Sequence, residues 1–306
     1  MTTSKNILVT GSNRSGSTWV GKVISANRKV DNIIEPLNLN RIKRFKRIEL
    51  DHWYPKIATT SPAVEKEAVK KLIRYYLEIS FASVFTKLFE PYEGHGMIKS
   101  AAKRWRRASK PIKLLKDPTA LFAIPWLEDE FNVLPVVLIR HPAAYALSIK
   151  DKNWWFNFDN FLSQPNFFKD GLEHLKTEVE AFKKNESQKD IIENAALLWK
   201  VFYTQVSIYR KRYPHWHFVT HEALSINPME EFKNIFAYLG LDFSEAVEDY
   251  IAKSTRSATG EQGKHRRNSE ENSKKWIHRL NSEEKETIQN ITGAVSALFY
   301  DKFVES

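Results

Sequence analysis

The chain has 306 residues, 42% hydrophobic and 27% charged, enough to bury one large core or two modest ones. It has no cysteine, which excludes disulfides, thiolate catalysis and cysteine-ligated metals. A formal net charge of +10 attracts polyanions in general, from nucleic acid to acidic glycan, anionic lipid or a multiply charged nucleotide, without choosing among them.

Ile7-Leu8-Val9-Thr10 predicts a strand that starts within a few residues of Met1, leaving no room for a signal peptide or amino-terminal anchor. No long unbroken apolar run follows. A cytoplasmic protein without an integral membrane segment is the expectation, with association at a membrane surface left open. The strand leads into Gly11-Ser12-Asn13-Arg14-Ser15-Gly16-Ser17-Thr18-Trp19, and a helical pattern continues over Val20 to Ala26. Strand, small-residue turn and helix start aim backbone N–H groups and a positive helix end at one point, where phosphate or sulfate fits. The two glycines and Ser17-Thr18 resemble a P-loop with one departure: Ser17 stands where a nucleotide triphosphatase places Lys, and the cation, Arg14, lies inside the loop.

Ile33-Ile34-Glu35-Pro36 reads as a short strand broken at Pro36, which puts Glu35 at a carboxyl end, where parallel sheets collect ligands. The plainer reading of Glu35 is an exposed loop carboxylate. Arg41 to Arg47 is a basic cluster, first a solvated face and second a patch facing an acceptor. Ser61-Pro62 opens a long amphipathic helix ending near Glu90-Pro91, with Val64, Ala68, Leu72, Tyr76 and Ile79 recurring on its apolar stripe and its aromatics in the core. Gly94-His95-Gly96 is a turn, and Lys103 to Arg107 a second basic stretch. Ile112 to Lys116 predicts a strand ended by Asp117-Pro118.

Val133 to Ile139 is almost uninterruptedly apolar, as a central parallel strand buried on both faces would be. It ends in Arg140-His141-Pro142, and the helix after it carries Ser148. The aromatic stretch Asn153 to Phe168 is either a helical layer on the core or a lid stacking on a sugar or lipid acceptor. Lys176 to Lys189 reads as charged and solvated, Ile191 to Tyr209 as an amphipathic helix, and His215 to Thr220 as the last strand. Gly240 is a helix C-cap, Ser254 to Lys275 a polar basic loop, and Glu283 to Phe299 a final helix.

Two stretches together, Arg14-Ser15-Gly16-Ser17-Thr18-Trp19 and the pair Arg140 and Ser148, resemble the nucleotide motifs of the sulfotransferases that use 3′-phosphoadenosine 5′-phosphosulfate (PAPS), of the bacterial carbohydrate or general type. The resemblance implies one α/β domain over 1–306, a central parallel β-sheet with helices on both faces. The P-loop-like phosphosulfate loop would lie at 7–20, the 3′-phosphate strand and helix at 133–150, and a basic carboxyl-terminal loop at 254–275. It implies in-line sulfuryl transfer from PAPS to an acceptor hydroxyl, leaving adenosine 3′,5′-bisphosphate. A small-molecule acceptor is implied, carbohydrate or glycolipid favoured, and no nucleic acid partner.

By the same resemblance Arg14 is the cation at the reacting group, while Ser15, Gly16, Ser17 and Thr18 hold the 5′-phosphate. Trp19 lies against adenine, and Arg140 with Ser148 holds the 3′-phosphate. The family's carboxyl-terminal Arg-Lys-Gly is absent, and Lys264, Arg266 and Arg267 are the candidates in its place. The Lys-Thr-His segment that supplies a base in many members is also absent. The comparable strand end reads Lys116-Asp117-Pro118, so Glu35 is the first candidate for general base and Asp117 the second. No metal is expected, since the nine histidines show no ligand spacing. An atypical P-loop kinase and a non-enzymatic polyanion-binding protein stay open as alternatives, as do the acceptor and the oligomeric state.

Overall fold

Strands buried on both faces must alternate their apolar side chains between two helical layers, and that alternation organises the molecule. The computed structural model describes residues 6–42, 50–58, 61, 63–78, 97–255, 269–301 and 303. Five strands, β1 (Asn6–Gly11), β2 (Val30–Ile34), β3 (Ile112–Lys116), β4 (Val133–Ile139) and β5 (His217–Thr220), form one sheet in the order β2-β3-β1-β4-β5. Every neighbouring pair is parallel. The longer helices are α1 (Ser17–Ile24), α2 (Ala63–Leu77), α3 (Met97–Ala108), α4 (Ile124–Phe131), α5 (Pro142–Lys150), α6 (Glu173–Lys184), α7 (Ile191–Arg212), α8 (Pro228–Leu239), α9 (Glu245–Thr255) and α10 (Ser282–Ser296).

Ile7, Val9, Leu114, Val136 and Leu138 pack on one face with α1, α8 and α9. Leu8, Leu115, Val137 and Ile139 point the other way, into a larger core with α2, α4, α5, α6 and α7. Pro135 sits inside β4 without breaking it, because β5 pairs only from Val136 onward and no strand on that side needs the missing N–H. Among the described residues, no helix is long and apolar enough to cross a membrane.

The expected α/β class and all five strands are present. Several expectations need correcting. Val64 is 82% exposed and lies outside the core, because it falls on the outer face of α2 opposite Val69, Leu72 and Ile73. Lys176 to Lys184, within the stretch expected to be solvated, belong to α6, which buries Leu175, Val179 and Phe182 on one stripe. In the aromatic stretch Phe158, Phe161, Phe167 and Phe168 are buried as a helical layer requires, whereas Trp154 and Trp155 stay exposed. Part of the supposed loop 254–275 is a short helix, Ser269–Lys274, while 256–268 lies outside the described residues. The rest of the long helix to Glu90, the turn at Gly94 and most of the Arg41–Arg47 cluster also lie outside them.

Gly11 closes β1 at φ 148°, and a Cβ there would lie 2.5 Å from the Leu138 carbonyl oxygen of β4. Backbone cannot yield as a flexible side chain can. Gly11→Ala is therefore expected to cost about 2–4 kcal/mol, read as a lower unfolding midpoint in chemical denaturation.

Candidate functional site

In an open parallel sheet, ligands collect beyond the strand ends where successive connections diverge to either side. Here that point is the carboxyl end of β1, between β3 and β4. Register places Gly11 beside Leu138 and Val9 beside Lys116, so the Ser12–Gly16 turn, Asp117 and Arg140 emerge together.

The turn takes left-handed backbone at Arg14 (φ 64°) and Gly16 (φ 96°), and Gly16 opens α1 without a side-chain cap. A Cβ on Gly16 would lie 2.6 Å from His221 Nδ1, so this close approach requires glycine. Buried tyrosines hold the turn: the Tyr145 hydroxyl donates to Asn13 Oδ1 at 2.8 Å, and the Tyr203 hydroxyl shares a 2.8 Å bond with Ser12 Oγ. Tyr203 also accepts the Arg140 N–H at 3.0 Å, and Trp199 Nε1 donates to the Arg140 carbonyl at 2.8 Å. One face of α7 thus fixes both backbone polar groups of Arg140.

The expected cations meet here. Arg140 Nη1 donates to the Arg14 carbonyl. Arg14 Nε donates to Ser148 Oγ at 2.8 Å, and its guanidinium lies 5.7 Å from the Trp154 ring centre. Burial lowers the Arg140 pKa, opposed by the charge of Glu222 and reinforced by that of Arg14. Ser15 Oγ and Arg140 Nε are buried with no hydrogen-bond partner. Each such group costs about 1–3 kcal/mol when left unmade. Two adjoining guanidiniums, a buried hydroxyl and a helix start form a donor set that fits an anion with several acceptor oxygens.

Ser17 is buried at the first turn of α1 and Thr18 is exposed. Trp19 donates from Nε1 to Ser254 Oγ at 3.0 Å and packs edge-on against Phe232 and His221. Burial pushes His221 down to about 3 and His141 to about 4, so both rings are neutral at pH 7. Lys264, Arg266 and Arg267 lie outside the described residues.

Glu35 sits at the exit of β2 with left-handed backbone (φ 50°), its N–H bonded to the Lys116 carbonyl at 2.7 Å. Its carboxylate takes Lys116 Nζ at 2.5 Å and Asn38 Nδ2 at 2.9 Å. Burial alone would raise its pKa, but the bond and charge of Lys116, with Asn38 and Arg41, hold it below the usual carboxylate value. Asp117 is differently engaged. Fully buried, it accepts Leu37 N–H at 2.6 Å, Thr119 N–H at 2.9 Å and the Thr119 hydroxyl at 2.6 Å. Burial, partly offset by those bonds, pushes it up to about 6. Its bonds cap the turn after β3 and tie it to the segment that carries Glu35.

Sequence reasoning passed over Lys116, Tyr145, Trp199, Tyr203 and His221. A cation as the last residue of a buried strand was a readable signal for Lys116. Trp199 and Tyr203 one helical turn apart read as core, and their polar tips have no sequence signature.

Residues 4–300 match the family model described as the sulfotransferase domain. The fold is similar to that of the sulfotransferase domain of the Synechococcus PCC 7002 olefin synthase, at 16% identity and TM-score 0.52, over 97% of each chain. It is also similar to the sulfotransferase domain from the curacin biosynthetic pathway, at 15% identity and TM-score 0.51, over 95% of this chain and 98% of that one. No curated protein sequence matches the chain.

Tyr203→Phe deletes the hydroxyl that joins Ser12 to the Arg140 N–H. A loss of about 1–3 kcal/mol is expected, measurable by urea unfolding with an unchanged slope.

Proposed function

From the premise that this chain belongs to the sulfotransferase domain family and is a transferase, we propose that it moves the sulfuryl group of PAPS to a carbohydrate or glycolipid hydroxyl, with Glu35 as general base. The observation that carries this reading is the meeting of Arg14, Ser148 and Arg140 in one hydrogen-bonded set at the ends of β1 and β4.

PAPS supplies an activated sulfuryl group: the acceptor oxygen forms a bond to sulfur as the bond to the phosphate oxygen breaks, without a metal. The chain's part is positional and electrostatic. Ser15, Gly16, Ser17 and Thr18 hold the 5′-phosphate against the start of α1, and Arg14 faces the charge that grows on the departing oxygen. Arg140 and Ser148 bind the 3′-phosphate, which suits a planar guanidinium fork and a short neutral donor. Trp19 borders the adenine.

Glu35 takes the acceptor proton. Its low pKa keeps it ionised at pH 7, and Lys116 holds its orientation. Asp117 acts through the backbone, fixing Leu37 and the turn after β3, and is a positioning residue rather than the base. The exposed rings of Trp154 and Trp155, with Trp154 beside Arg14, support an acceptor that presents a ring face. Incubation with labelled PAPS and a panel of sugars, glycolipids and phenols, read by mass, tests the acceptor class. Adenosine 3′,5′-bisphosphate is expected to raise Tm more than ATP with magnesium, and the reverse would favour a kinase.

Two further outcomes test the base. Glu35→Gln is expected to lower kcat about 10²–10⁴-fold, and near-normal turnover would remove Glu35 from the role. A base depressed in pKa is active down to acidic pH. Lys116→Met removes the chief of the groups that together outweigh burial, so the acid limb of the kcat/KM profile should move to higher pH.

A further inference from the structure

Arg140 is gripped by α7 on one side, but the residue after it is gripped by the carboxyl-terminal end of the chain. His141 donates its backbone N–H to Glu222 Oε1 at 3.1 Å, and Glu222 Oε2 takes the Tyr300 hydroxyl at 2.8 Å. The His141 ring is stacked on Trp276, with centroids 4.6 Å apart and planes 13° apart. Tyr300 and Phe303 complete the enclosure at 5.0 and 5.2 Å.

Glu222 is the carboxylate whose charge acts on Arg140. Both of its oxygens are engaged elsewhere, by His141 and Tyr300, and the two residues form no direct ion pair. Arg140 Nε meanwhile stays buried without a partner. If the Tyr300 hydroxyl were removed, Glu222 Oε2 would lose its donor while Oε1 stays on the N–H of His141, the residue next to Arg140. A desolvated carboxylate oxygen in that position gains most by turning to the guanidinium, because charge-assisted bonds are the strong ones. That pairing would take from Arg140 the donor that a bound phosphate needs.

We propose that Tyr300 is a positioning residue: by engaging Glu222 it keeps Arg140 available, and so sets the preference for a 3′-phosphorylated adenine nucleotide over one lacking that group. The inference rests on the reading of Arg140 as the 3′-phosphate ligand. It assigns the carboxyl-terminal residues a part in donor selection that acts through Glu222, with no contact of their own to the nucleotide.

The test is isothermal titration calorimetry on the full chain with adenosine 3′,5′-bisphosphate and adenosine 5′-monophosphate, which differ only in the 3′-phosphate. Tyr300→Phe keeps a ring on His141. It is expected to weaken the bisphosphate about five- to tenfold and leave the monophosphate unchanged. Adding Glu222→Gln to Tyr300→Phe should restore the preference, because a neutral amide does not compete for Arg140 as a carboxylate does. Equal weakening of both nucleotides, no change in either, or a double variant no better than Tyr300→Phe would each overturn the proposal. A wild-type protein that binds both nucleotides equally would overturn the reading of Arg140 itself, an outcome distinct from the variants failing to respond.

Discussion

Arg140 donating to the Arg14 carbonyl is the contact on which the site depends. It joins the ends of β1 and β4, strands already locked in register from Asn6 to Gly11, and brings two guanidiniums into one neighbourhood. Like charges so placed repel, and burial of Arg140 sharpens that cost. The arrangement persists because the surrounding backbone is over-determined. Trp199 and Tyr203 hold the amide and carbonyl of Arg140, and Tyr145 and Tyr203 hold the turn that presents Arg14. On the proposed reading, a bound polyanion would relieve the repulsion and offer acceptors to Ser15 Oγ and Arg140 Nε.

The polar contacts are supplied by side chains whose bodies belong to the apolar core. Trp199, Tyr145 and Tyr203 are among the largest fully buried side chains, yet each ends in a hydrogen bond to the site. An aromatic with a polar tip can do both, filling volume and satisfying backbone groups that water cannot reach. Packing faults in α7 would thus appear as misplacement of Arg14 and Arg140.

This explains what the sequence disclosed and what it did not. The strands were legible because doubly buried parallel strands are apolar runs, as in Val133 to Ile139, and because their ends carry turn chemistry such as Asp117-Pro118. Arg14 inside the small-residue turn and Arg140 at a strand end could be singled out by type and place, and Ser148 only through the family resemblance; the structure brings the three together. Val64 was misread because a helical pattern extended to its first turn does not say where the core begins. The α6 segment was misread because charged residues outnumber the buried stripe. Tyr203 was invisible as a partner of the turn, since that contact is made with a residue 191 positions away in sequence.

Glu35 shows how opposing effects share one residue. Its left-handed backbone costs about 1–3 kcal/mol, and the Lys116 carbonyl bond and the Asp117 bond to Leu37 hold the segment in place. Burial favours the neutral acid, whereas Lys116, itself only 2% exposed, favours the carboxylate, and the net shift is downward. Lys116 thereby keeps Glu35 ionised but makes it a weaker acceptor of protons. As the proposed base, such a carboxylate would suit a reaction in which the acceptor hydroxyl grows acidic as its bond to sulfur forms, so that the proton leaves late and little basicity is required. The Lys116 side chain is also fixed beside Glu35, which pairs opposite charges at the ends of β2 and β3, while Arg14 and Arg140 gather positive charge at the ends of β1 and β4. On the proposed reading, an anionic donor would be drawn to the arginines and a neutral hydroxyl accommodated beside Glu35.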